Sequence, residues 1–125
     1  MKNKKRIKNN ANELYNICYQ KEKLILIKEI FFITEGINEI IENENCMDII
    51  QLILNQQDFI FCDVQDWYIE REDNELFNII CKDSLKEVTL IMNNIIIDFY
   101  FDSLHIVIKN NTVCLPIEFD FYFNS

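Results

Sequence analysis

Carboxylates dominate the reactive side chains of this sequence. Twenty-one Asp and Glu stand against twelve Lys and Arg and a single histidine, His105. Paired carboxylates can act as general acid and base, or can hold Mg²⁺ or Ca²⁺ through oxygen. Strand alternation would bring Asp98, Asp102, Glu118 and Asp120 to one surface. An exposed sheet face lacks the desolvation that would raise one pKa, which argues against catalysis there. No segment has the spacing and glycine of an EF-hand loop. His105 beside a cysteine could suggest a thiol nucleophile, but no protease signature surrounds any cysteine. Cys18, Cys46, Cys62, Cys81 and Cys114 are never closer than sixteen residues, so paired zinc or redox spacing is missing. Their odd number favours reduced, buried thiols. The only glycine is Gly36. A phosphate-binding loop, a dinucleotide fingerprint and a nucleophile elbow each need several. The expectation is a non-enzymatic protein with no cofactor and no metal.

Charge is the remaining signal. Residues 1–30 carry eight Lys/Arg and three Glu, whereas residues 31–125 carry four Lys/Arg and eighteen Asp/Glu, a balance of −14. A body this acidic repels phosphate, so direct nucleic-acid binding by the folded part is not expected. It should attract a basic protein surface, with association fastest at low salt. One acidic concentration comprises Asp58, Asp63, Asp66, Glu70, Glu72, Asp73 and Glu75 against Arg71 alone, and it includes Trp67 and Tyr68. Tyr and Trp are the residue types that anchor interfaces. The second comprises Asp98, Tyr100, Asp102, Glu118, Asp120 and Tyr122. Both sets, Asp58 aside, are candidate partner-binding residues. The bland alternative is a solvated polar face that serves solubility.

These residues must be positioned by a fold of mixed class. Residues 1–9, with Lys2, Lys4, Lys5, Arg6 and Lys8, read as a basic tail, and residues 10–125 as a single domain. Apolar spacing predicts a helix from Ala11 to about Ile33, although Lys23–Ile33 is β-branched enough to compete as a strand. Thr34 is a plausible N-cap for a helix over Glu35–Glu42, and Asn45 for one ending near Gln56. After Asp58 the period becomes two. Strands are expected at Phe59–Cys62, Trp67–Glu72, Leu76–Lys82, Val88–Met92, Ile95–Phe101, Leu104–Lys109 and Val113–Phe123, with polar turns at Asp73-Asn74, Asn93-Asn94, Asp102-Ser103 and Asn110-Asn111. Pro116 would sit on an edge or a bulge of the last strand. The sum is an α+β fold: two or three N-terminal helices packed on an antiparallel meander of five to seven strands.

No apolar signal-peptide core follows the basic start, and no stretch approaches the roughly 20 apolar residues of a membrane span. A cytoplasmic protein is therefore expected. Size, charge and composition together suggest an acidic inhibitor that blocks the nucleic-acid-binding surface of a nuclease or nucleoprotein effector. A phage anti-CRISPR or other anti-defence protein and a toxin-immunity protein share that physics. The alternatives are a self-associating structural module, monomer or homodimer, and a small carboxylate metal-dependent hydrolase.

Overall fold

The computed structural model of the chain describes residues 9–15, 24–27 and 29–123, with side chains through residue 119. A seven-stranded sheet forms the body, in the order β1-β2-β7-β6-β3-β4-β5. Its strands are β1 (Ile25–Ile27), β2 (Phe31–Ile33), β3 (Val64–Asp73), β4 (Leu76–Lys82), β5 (Val88–Ile96), β6 (Ser103–Lys109) and β7 (Thr112–Cys114). Among the described residues four α-helices accompany it: α1 (Ala11–Leu14), α2 (Glu35–Glu44), α3 (Met47–Leu54) and α4 (Pro116–Phe123). The class is α+β, but the helices are spread along the chain rather than gathered at its start. The sheet is mixed, because β2 and β7 run parallel.

Alternation explains the central strands. Trp67 and Ile69 of β3, Phe77, Ile79 and Cys81 of β4, and Leu104, Ile106 and Ile108 of β6 all point inward and are buried. Ile37, Ile40, Ile49, Ile50 and Ile53 of α2 and α3 meet them as the facing layer of the core. The turns are made without glycine. Among the described residues, Glu29, Asn45, Asn74, Lys86, Asn94, Asn110 and Asn111 have positive φ. Five of these seven are asparagine, the non-glycine residue that best tolerates the left-handed region.

Three expected elements are different in the structure. The long helix over 11–33 is a single turn, α1, followed after the undescribed residues 16–23 by the β1–β2 hairpin. Glu29 at φ 72 closes that hairpin. Ile25, Ile27, Phe31 and Ile33 line its inward face, so β-branched residues took the competing strand reading. The expected strand at Phe59–Cys62 is a 3₁₀ turn, Gln57–Phe59, and an extended loop that leaves Phe61 91% exposed. The expected strand Val113–Phe123 ends at Cys114, and Pro116 opens α4. A proline at the first helical position loses nothing, since its missing N–H would have no partner there. Two smaller shifts accompany these. Asn45 ends α2 in the left-handed region instead of opening α3. Asn93-Asn94 is an irregularity inside one long β5 rather than a turn between two strands.

Candidate partner-binding site

The segment between β5 and β6, residues 97–102, positions one exposed carboxylate, Asp98. It has no ladder partner, yet it alternates: Ile97, Phe99 and Phe101 are buried, whereas Asp98 and Tyr100 are exposed. Arg71 holds it. The guanidinium Nε donates to Asp102 Oδ1 at 2.6 Å, and Nη2 donates to the carbonyls of Phe99 at 2.6 Å and Phe101 at 3.2 Å. Nη1 donates to the Asn74 carbonyl, and the cation lies 4.6 Å from the centroid of the Phe77 ring. One planar fork therefore replaces the ladder that a strand would have supplied. Asp102 also binds the N-terminal segment: Asn9 N donates to its Oδ2 at 2.9 Å, and Asp102 N donates to Asn9 O and Oδ1.

Asp98 is carried to one wall of a groove of about 520 Å³. The opposite wall is the α2–α3 corner, with Glu44 and Asp48. Exposed Tyr100 and Ile96 form part of the rim, and the amide of Ile97 donates to the Glu75 carbonyl at 2.9 Å, which ties the β3–β4 hairpin to the same end of the sheet. Among the described residues, three carboxylates and no Lys, Arg or His line this groove. Glu44 sits in the last turn of α2, which has no basic residue, so its charge adds to the negative end of the helix dipole. Asp48 lies in the first turn of α3, whose positive end offsets part of that potential. Tyr15 Oη donates to Glu44 Oε2 at 2.7 Å. Burial, with that carboxylate adding, pushes the Tyr15 phenol up to about 12, so the proton stays on the tyrosine.

Not every expected surface residue is on the surface. Trp67 is fully buried in the core, and its Nε1 donates to Gln65 Oε1 at 2.8 Å. Asp66 is buried; its carboxylate meets His105 Nε2 at 2.8 Å and Lys86 Nζ at 3.5 Å. Tyr68 is half-buried, stacked on the His105 ring at 4.4 Å. Asp102 is buried against Arg71. Glu118 is buried at the start of α2, where it accepts from Thr34 Oγ1 at 2.5 Å, Gly36 N at 3.0 Å and Leu115 N at 3.0 Å. The expected face of Asp98, Asp102, Glu118 and Asp120 does not form. β5 and β6 are separated by β4 and β3, and Glu118 is helical. The side chains of Asp120 and Tyr122 lie outside those described. Asp63, Glu70, Glu72, Asp73, Glu75, Asp98 and Tyr100 are exposed. Glu44, Asp48 and Ile96 were not among the residues the sequence marks for a partner; the approach of Glu44 and Asp48 to residues 96–100 is long-range, and nothing local signals it.

Among the described residues, no three His, Cys, Asp or Glu converge to hold a metal ion, and no helix is long and apolar enough to cross a membrane. Cys46, Cys62, Cys81 and Cys114 form no disulfide with one another. Residues 8–119 match DUF6876, a family of unknown function. No curated protein and no solved structure matches the chain.

Proposed function

We propose that this chain, which belongs to the DUF6876 family, is a non-enzymatic acidic antagonist that covers a basic, nucleic-acid-binding surface of another protein. The observation that carries the reading is the groove between the α2–α3 corner and residues 96–100: Glu44, Asp48 and Asp98 line it, and no cation among the described residues does. Carboxylates gathered without counter-charge repel one another, and long basic side chains inserted between them relieve that repulsion. Exposed Tyr100 and Ile96 supply the apolar contact that charge alone does not, and an amphipathic tyrosine suits the centre of such an interface. Asp73 and Glu75 extend the negative potential along the same end of the sheet and steer a basic partner toward it. The interface set is therefore Glu44, Asp48, Asp73, Glu75, Asp98, Tyr100 and Ile96. Asp66, Asp102 and Glu118 serve the fold instead. A phage-encoded inhibitor of a defence nuclease and an immunity protein against a nuclease toxin both need a surface of this kind.

The test is affinity capture from a host lysate with the intact chain, alongside an Asp48→Lys/Asp98→Lys variant and a Glu87→Lys control in the β4–β5 turn, at the opposite end of those strands from Ile96. A basic partner held by the native and control proteins, and released by the double reversal and by high salt, supports the reading. A partner retained equally by all three overturns it.

A further inference from the structure

We infer that the outer face of β4 and β5 binds a second copy of this chain through an isologous two-fold contact. α2 and α3 cover one side of the sheet. On the other side the described side chains of α4 lie over β6 and the start of β3: Pro116 and Phe119 border a pocket with Val64, Asp66, His105 and Val107 that also takes in Ser84 and Lys86 of the β4–β5 turn. Among the described residues nothing covers the neighbouring strands. The register sends Ile80 of β4 and Ile91 of β5 outward as a cross-strand pair, and Val88 stands opposite Lys82. Ile91 is 52% exposed and Val88 50%. An apolar row on the solvent side of a sheet is what interfaces, not solvated faces, require.

The charges around that row select the occupant. At one end stands Lys82, its ammonium 5.3 Å from the Tyr68 ring. At the other stand Glu70 and Glu72, the latter accepting from Asn78 Nδ2 at 3.0 Å. β4 itself, from Leu76 to Lys82, carries no carboxylate. This is the part of an acidic molecule on which a like-charged copy meets least repulsion. A two-fold axis lying in the interface and across the strands reverses strand direction. It stacks Ile80 and Ile91 on their counterparts and brings Lys82 of each copy toward Glu72 of the other. The pattern is thus complementary to itself, as a closed dimer demands. Pairing along the open edge of β5 is the less suitable mode, because two irregularities, at Phe77/Ile79 and at Cys81/Lys82, break its register with β4 and twist an edge away from flat pairing.

Sedimentation velocity on the full chain, from low to high micromolar concentration, tests this. The expected result is a monomer–dimer equilibrium that Ile91→Asp abolishes. Lys82→Glu alone weakens the dimer at least tenfold, and Lys82→Glu with Glu72→Lys restores it. Circular dichroism of each variant confirms that it is folded. The Asp48→Lys/Asp98→Lys variant, which addresses the groove, dimerises normally. A native chain that stays monomeric at high micromolar concentration overturns the proposal. So does a dimer indifferent to Ile91→Asp, or one that the double charge exchange fails to restore.

Discussion

Gly36 and Glu118 work as one unit. A Cβ on Gly36 would lie 2.6 Å from Glu118 Oε2 and 2.8 Å from Leu115 Cδ1, so the single glycine of the chain stands where a carboxylate and a leucine close on the start of α2. Thr34 caps the same helix end, and Glu118 adds negative charge to its positive pole. Gly36→Ala should therefore cost about 1–3 kcal/mol of stability by overpacking, read as a fall in the urea midpoint at unchanged slope. Glu118→Gln turns one accepting oxygen into a donor facing donors, and should cost a similar amount, about 1–3 kcal/mol. The cysteines make a second case. Burial pushes the Cys46 thiol up to about 12 and the Cys81 thiol up to about 11, while an unfolded thiol titrates near 8.5. A folded pKa above the unfolded one means that stability is fully present below about pH 8.5 and is lost as pH rises toward 11 and 12. Unfolding free energy should drop between neutral and pH 10, and Cys46→Ala should flatten that slope. An unchanged slope would contradict the assignment. Thr34 as a cap was legible from its type and the helical spacing after it. Glu118 was not, because two of its three donors, Thr34 Oγ1 and Gly36 N, lie at a helix start more than eighty residues earlier.

Elements stop and start for reasons that differ in how local they are. The hairpin from β3 to β4 and the turn from β6 to β7 were readable, because Asn74, Asn110 and Asn111 mark them with the residue that accepts positive φ. Asn111→Ala should cost about 1–2 kcal/mol, and Asn111→Gly should not, which thermal denaturation can distinguish. β1 and β2 were ambiguous, since three-residue strands are too short for any period to dominate. The C-terminal run from Ile117 alternates like a strand, yet forms α4. Glu118 becomes available to α2 only in that conformation, so a tertiary contact overrides local preference. The segment at 97–102 alternates correctly in burial but has no ladder. Its Phe99 and Phe101 carbonyls are held by the Arg71 guanidinium, which no local pattern reveals. Arg71→Lys keeps the charge but loses the fork. It should cost about 3 kcal/mol or more by leaving Asp102 and the Phe99 carbonyl poorly satisfied, and NMR amide resonances of residues 97–102 should broaden selectively.

The molecule as a whole separates its charges by use. Asp66, Asp102 and Glu118 are neutralised or hydrogen-bonded within the fold, while Glu44, Asp48, Asp73, Glu75 and Asp98 meet at one end of the sheet. Net charge was readable at once; its division into structural and outward carboxylates depended on strand order and could not be. Two surfaces result: an acidic groove, which we propose takes a basic partner, and a sheet face of β4 and β5, which we propose meets a second copy. An NMR titration of the isotope-labelled chain with a lysine-rich peptide tests whether the groove takes basic side chains. Amides of residues 43–49 and 96–100 should shift together, saturate, and lose the effect at high salt and in the Asp48→Lys/Asp98→Lys variant. Shifts scattered over all the exposed carboxylates, or centred on the β4–β5 face and unchanged in that variant, would contradict the account.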